Sequence, residues 1–176
     1  MPGGMRVVLC PVSEQPDAVG TVDGEPLTYE GRVPHVGGHP VEHADLAEDL
    51  AAAVEAAATA LWGGDHTNSL ARVSDLNRRT VTRDRYERNG LPTWLLRLLG
   101  RAAATTSPRA TGYLLLAATE LVDRGPYTKG SVLTRTAPAD RDDLGVVARR
   151  DMDEALTLIL GARDARERPA AKNEGT

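Results

Sequence analysis

The chain has 176 residues with a formal net charge of −4 and only 3% aromatic residues, none of them Phe. That length suits one domain with a core built from Leu, Val and Ala. The charge argues against the chain as a whole being a polyanion binder, and a lone cysteine, Cys10, excludes an intramolecular disulfide. No apolar run approaches the ~18 residues of a membrane span, and Met5–Val12 is too short for a leader, so a soluble, cytoplasmic protein without membrane contact is expected.

Charge is distributed unevenly. Residues 1–68 hold two Arg against eleven acids, a balance of −9. Residues 69–101 hold eight Arg against three acids, a balance of +5. The remainder balances to zero. One basic island therefore sits in an acidic or neutral chain.

In chain order, Arg6–Val12 is a β-prone run and reads as a strand. Val19–Val22 and Leu27–Tyr29 flank Asp23-Gly24, and Asp-Gly between β-prone runs signals a tight hairpin, because both residues tolerate positive φ. A hairpin or three-stranded patch is expected. It is too small to stand alone, so it must lie against helices. Gly31–Pro40 reads as a loop. It overlaps HVGGHPVEH, which spaces His35, His39 and His43 four apart. On one helix those imidazoles would share a face suited to a transition metal, and a metal-dependent enzyme built on them is the weakest functional reading. Gly37, Gly38 and Pro40 break such a helix, leaving solvated histidines and no expected metal or cofactor.

Asp45–Trp62 is the clearest helix. Leu46, Leu50, Val54, Ala57, Ala58 and Leu61 recur at helical spacing, with most acids off that stripe, and Gly63-Gly64 ends it. Thr67 or Asn68 suits the next cap. Asn89-Gly90 stops the basic segment, and Pro92 opens a further helix with Trp94, Leu95, Leu98 and Leu99 apolar. Ala110–Val122 reads as a buried helix or, secondarily, a dimer interface. Asp123–Arg141 reads as a loop with a strand at Ser131–Thr136, and Asp140, Asp142 and Asp143 read as a solvated loop acid cluster at its end. Leu144–Leu160 reads as a helix, and Arg163 onward as disordered. The organisation expected is a β patch and loop at 1–40, a helical domain at 41–165, and a disordered tail at 166–176. The fold class is α+β, mostly α-helical, with a small N-terminal β-hairpin patch packed on a helical domain.

Within the basic island, SLARVSDLNRRTVTR resembles the helix-turn-helix of bacterial and phage DNA-binding proteins. The resemblance covers residues 67–101 only. Leu70 and Ala71 match the core of the first helix, Leu76 the apolar residue after the turn, and Val81 the inward residue of the recognition helix. Asp75 stands at the turn glycine, where a left-handed conformation is needed. Arg78, Arg79, Thr80, Thr82 and Arg83 fall where the family places DNA-facing side chains. Ser74 stands in place of a large aliphatic residue, and Asp84 in place of a buried apolar one. The motif therefore requires Asp84 to point outward and Val81 and Leu76 inward, with Tyr86 supplying the missing volume.

Independently of the family, a helix bearing Arg78, Arg79, Arg83, Arg85 and Arg88 can neutralise phosphates and reach guanine edges through bidentate forks. Together with Thr80 and Thr82, these are the candidate DNA-binding residues. The resemblance implies a small transcriptional regulator binding double-stranded DNA as a homodimer, since one recognition helix reads few base pairs. The alternative is a non-enzymatic protein–protein adaptor, or a phage or mobile-element assembly factor, whose basic helix binds an acidic partner. No phosphate-binding glycine loop or nucleophile elbow is present, so no catalytic role is expected.

Overall fold

The computed structural model describes residues 4–124 and 138–167. The chain forms two compact units, Met1–Thr119 and Glu120–Thr176. Its class is α+β and mostly helical, with an antiparallel sheet at the N-terminus.

The sheet is a five-stranded meander in the order β1-β2-β3-β4-β5: β1 (Val7–Leu9), β2 (Gly20–Val22), β3 (Glu25–Glu30), β4 (Val33–Val36) and β5 (His39–Pro40). Asp23 and Gly24 join β2 to β3 with Val22 opposite Glu25, both at positive φ (51° and 91°). This is the hairpin turn that the Asp-Gly pair predicts. Gly31–Pro40, expected as a loop, is instead two more strands. The reason is Gly37-Gly38, which takes φ of 57° and 84° and turns β4 into β5 with Val36 opposite His39. Two adjacent glycines free to adopt positive φ here make a two-residue turn rather than a flexible stretch.

This topology scatters the histidines. His35 lies on β4, with Nδ1 3.1 Å from the Val33 carbonyl. His39 is exposed on β5, and His43 opens the first helix. Among the described residues no three His, Cys, Asp or Glu side chains converge as a metal site.

Helix α1 (His43–Trp62) organises the first unit. Leu46, Leu50, Val54, Ala57, Ala58 and Leu61 are all buried, as their spacing predicts. Gly63 ends the helix at φ 87°, its N–H donating to the Thr59 carbonyl at 2.8 Å. Helix α1 packs against β1 and against two later helices, α3 (Arg83–Asn89) and α4 (Thr93–Ala103). On α4 the buried face is Leu95, Leu96, Leu99 and Ala102, while Trp94 is 46% exposed. The expected apolar face is thus rotated, because α4 must meet both α1 and β1. Gly100 permits that approach: a Cβ there would lie 2.8 Å from the Cys10 amide nitrogen.

Helix α5 (Pro108–Arg124) is not the buried helix expected from its apolar run. Within the first unit it docks by one face only. Trp62 Nε1–H donates to the Gly112 carbonyl at 2.8 Å, and Leu115 and Leu116 pack against the core. Tyr113 and Leu114 face solvent.

In the second unit, α6 (Pro138–Glu167) is longer than expected at both ends. Asp142 and Asp143 are exposed on its first turns rather than in a loop, and Arg163–Glu167, expected as disordered, continue the helix. The strand expected at Ser131–Thr136 and the tail beyond Glu167 lie outside the described residues. No helix among the described residues is long and apolar enough to cross a membrane.

Candidate functional site

The basic island folds as helix α2 (Thr67–Ser74), a segment of turns, α3 and most of α4. The cap position of α2 is His66, not Thr67 or Asn68, which lie in its first turn. Leu70 is fully buried, and Ala71 packs partly buried against the core. Ser74 is buried where an aliphatic side chain was expected, and its hydroxyl donates to the Leu70 carbonyl at 2.7 Å. That bond meets the polar group's requirement inside the core. Asp75 then takes φ 54°, the left-handed conformation expected at the turn position.

A β-carbon is unfavourable in that conformation, less so for Asp than for most residues. Asp75→Gly is therefore expected to stabilise the fold by up to about 1 kcal/mol. Urea unfolding checks this; a lowered midpoint would show that the Asp side chain contributes more than its backbone strain costs.

The second helix begins later than the sequence pattern implies. Arg78, Arg79, Thr80 and Thr82 are not helical. Asn77 organises two successive turns instead: its side-chain oxygen accepts from the Arg79 amide at 2.9 Å, and its carbonyl accepts from the Thr80 amide at 2.8 Å. Thr80-Val81-Thr82 is a β-branched run, poorly suited to continue a helix. Thr82 is extended (φ −79°, ψ 151°), and its carbonyl accepts the first bonds of α3 from Arg85 and Tyr86. The Thr82 hydroxyl donates to the Arg79 carbonyl at 3.2 Å, so it secures the turn rather than pointing to a ligand.

The inward and outward directions nevertheless follow the pattern. Val81 is 1% exposed and Leu76 packs partly buried against the core. Tyr86 is buried and supplies the volume that Asp84 cannot. Burial pushes the Tyr86 phenol above its ordinary range, with Arg83 opposing and Glu87 adding to the rise. Asp84 is exposed in the first turn of α3, where a carboxylate suits the helix dipole.

The arginines divide into two groups. Arg83 is claimed internally: it forms an ion pair with Glu55 of α1 and lies 3.7 Å from Glu87. Arg78, Arg79, Arg85 and Arg88 are exposed and enter no ion pair among the described residues. Arg79 and Arg85 line one concavity of about 360 Å³ with Asn77, Thr80, Asn89 and Gly90. The turn segment and α3 thus bring Arg79, Thr80 and Arg85 together, while Arg83 faces α1. The acidic N-terminal third covers only one of the five arginines.

One contributor was missed by the sequence reading. Arg32, in the β3–β4 turn, lines a second cleft with Arg88. It stands alone among acids in the sequence, so only the folded topology joins it to the basic island.

No family model, curated protein or solved structure matches this chain.

Proposed function

We propose that this protein binds double-stranded DNA through the surface formed by the 77–82 turns and α3. The observation that carries the proposal is that Arg78, Arg79, Arg85 and Arg88 are exposed without ion-pair partners among the described residues, in a chain of net charge −4. Exposed guanidinium groups without ion-pair partners can displace counterions from phosphates, and their forks can reach guanine edges. Helix α3 has only seven residues, so a single copy would read little sequence. A small regulator acting as a homodimer on a repeated site fits that economy.

A second reading is an adaptor for an acidic protein surface. The Arg83–Glu55 pair favours it, since a carboxylate already occupies one of these arginines. Glu55→Gln separates the two readings from stability effects. An exposed pair of this kind contributes at most about 1 kcal/mol, so the melting temperature should barely move. Released from Glu55 and left only the longer 3.7 Å pair with Glu87, Arg83 should raise affinity for a random-sequence duplex by about two- to five-fold, the effect of one added phosphate contact at moderate salt. Selection of bound fragments from random DNA then tests the proposal: enrichment of a common, repeated site supports the regulator, and recovery of no fragments at low salt favours the adaptor.

A further inference from the structure

We infer that the cleft between the β3–β4 turn and the α3–α4 junction is a phosphate-binding site. Resting on the DNA reading, the phosphate it takes is one of the duplex backbone, flanking the stretch met by α3.

The cleft holds about 770 Å³ and is lined by Tyr29, Arg32 and His43, by Arg88 at the end of α3, and by the backbone from Asn89 to Thr93. No carboxylate is among its lining residues. In a chain with more acids than bases, a cleft walled by two arginines and no acid is unusual. Neither arginine is spent elsewhere among the described residues: Arg32 and Arg88 are both exposed and form no ion pair. Asp84 and Glu87, the nearest acids on α3, line a neighbouring cavity on the α1 side, whose wall Arg88 and His43 share with this cleft.

The two arginines are carried by different elements of the fold. Arg32 is carried by the turn whose first residue, Gly31, sits at φ 60°. Arg88 is fixed through α3, which His43 holds in place by donating Nε2–H to the Glu87 carbonyl at 2.9 Å. Thr93, the first residue of α4, lines the cleft, and that helix has no side-chain cap, a position where a backbone N–H favours an anion. Tyr29, its phenol pushed up to about 12 by burial, stays neutral and offers a hydroxyl donor rather than a repelling charge. Planar guanidinium forks from two sides, neutral donors and no acid are what a phosphate group requires. The consequence is that the sheet takes part in nucleic-acid contact, placing a clamp outside the helix-turn-helix segment.

The test compares the wild type with Arg32→Ala and Arg32→Lys on a short random-sequence duplex across a salt series. Arg32 is exposed with no side-chain bond among the described residues, so neither variant should disturb folding. Losing one phosphate contact should reduce the slope of log affinity against log salt by about 0.9, with a similar loss for every duplex sequence, and Arg32→Lys should restore most of it. A second arm adds inorganic phosphate to the protein alone, at ionic strength matched with chloride, and follows the Gly90 and Thr93 amides by NMR. If the wild type binds no DNA but these amides shift with phosphate in an Arg32-dependent manner, the DNA reading falls while the phosphate site stands, with a free phosphate as its ligand. If Arg32→Ala binds DNA with an unchanged slope and phosphate moves neither amide, the inference is overturned while the DNA reading survives.

Discussion

Replacing Arg78, Arg79, Arg85 and Arg88 together by Ala is expected to lower affinity for duplex DNA by roughly 100-fold or more at low salt. The slope of log affinity against log salt should fall by up to about 3.6, since each lost phosphate contact removes about 0.9. All four side chains are exposed, and exposed substitutions away from special features typically change stability by less than about 0.5 kcal/mol each. The loss should therefore appear in binding while the melting curve is little changed. Single substitutions divide the effect further. Arg79→Ala or Arg85→Ala, in the shared concavity, should weaken binding and relax any base preference if they read guanine. A purely phosphate-directed contact should weaken all sequences alike. Fluorescence anisotropy on labelled duplexes measures both quantities. Wild-type affinity in the quadruple variant would remove this surface from consideration.

The second large effect concerns stability. Gly112→Ala is expected to destabilise the first unit by about 1–3 kcal/mol through overpacking. A Cβ at this position would fall 2.2 Å from the Leu61 carbonyl oxygen and 2.7 Å from its carbon. Both are backbone atoms of α1 and cannot rotate away, so α5 must lift from α1. That movement also stretches the Trp62–Gly112 bond and strips cover from Leu115 and Leu116. For a unit of this size the melting temperature should fall by several degrees, at about 4 °C per kcal/mol. Near-UV circular dichroism should also change as the indole loses its fixed partner. An unchanged melting temperature would mean that α5 is not seated on α1 as described.

How far the sequence carries depends on whether a feature is local. The burial stripe of α1 was readable because helical periodicity is a property of the helix itself. The Asp23-Gly24 hairpin and the Gly63 stop were readable because a backbone angle demands a particular residue. Asp75 takes its left-handed turn conformation for the same local reason. Gly37-Gly38 was misread because a glycine pair serves a tight turn or a loose loop equally well, and only the pairing of Val36 with His39 decides. The late start of α3 did leave a trace: Asn77 and the β-branched run from Thr80 to Thr82 speak against a helix, but the arginine spacing and the motif outweighed them. The exposure of Tyr113 and Leu114 could not be read from α5, since an apolar run does not state how many of its faces find a partner. Arg32 was invisible for a stronger reason. Its relation to Arg88 exists only after the sheet has folded onto the helices.

The most direct measurement is a salt titration of the wild-type protein with a random-sequence duplex. A basic surface built from Arg78, Arg79, Arg85 and Arg88, with Arg32 at its flank, predicts saturable binding at low salt whose logarithmic affinity falls linearly with log salt, at a slope between about −3 and −5. No binding at low salt, or binding indifferent to salt, would contradict it.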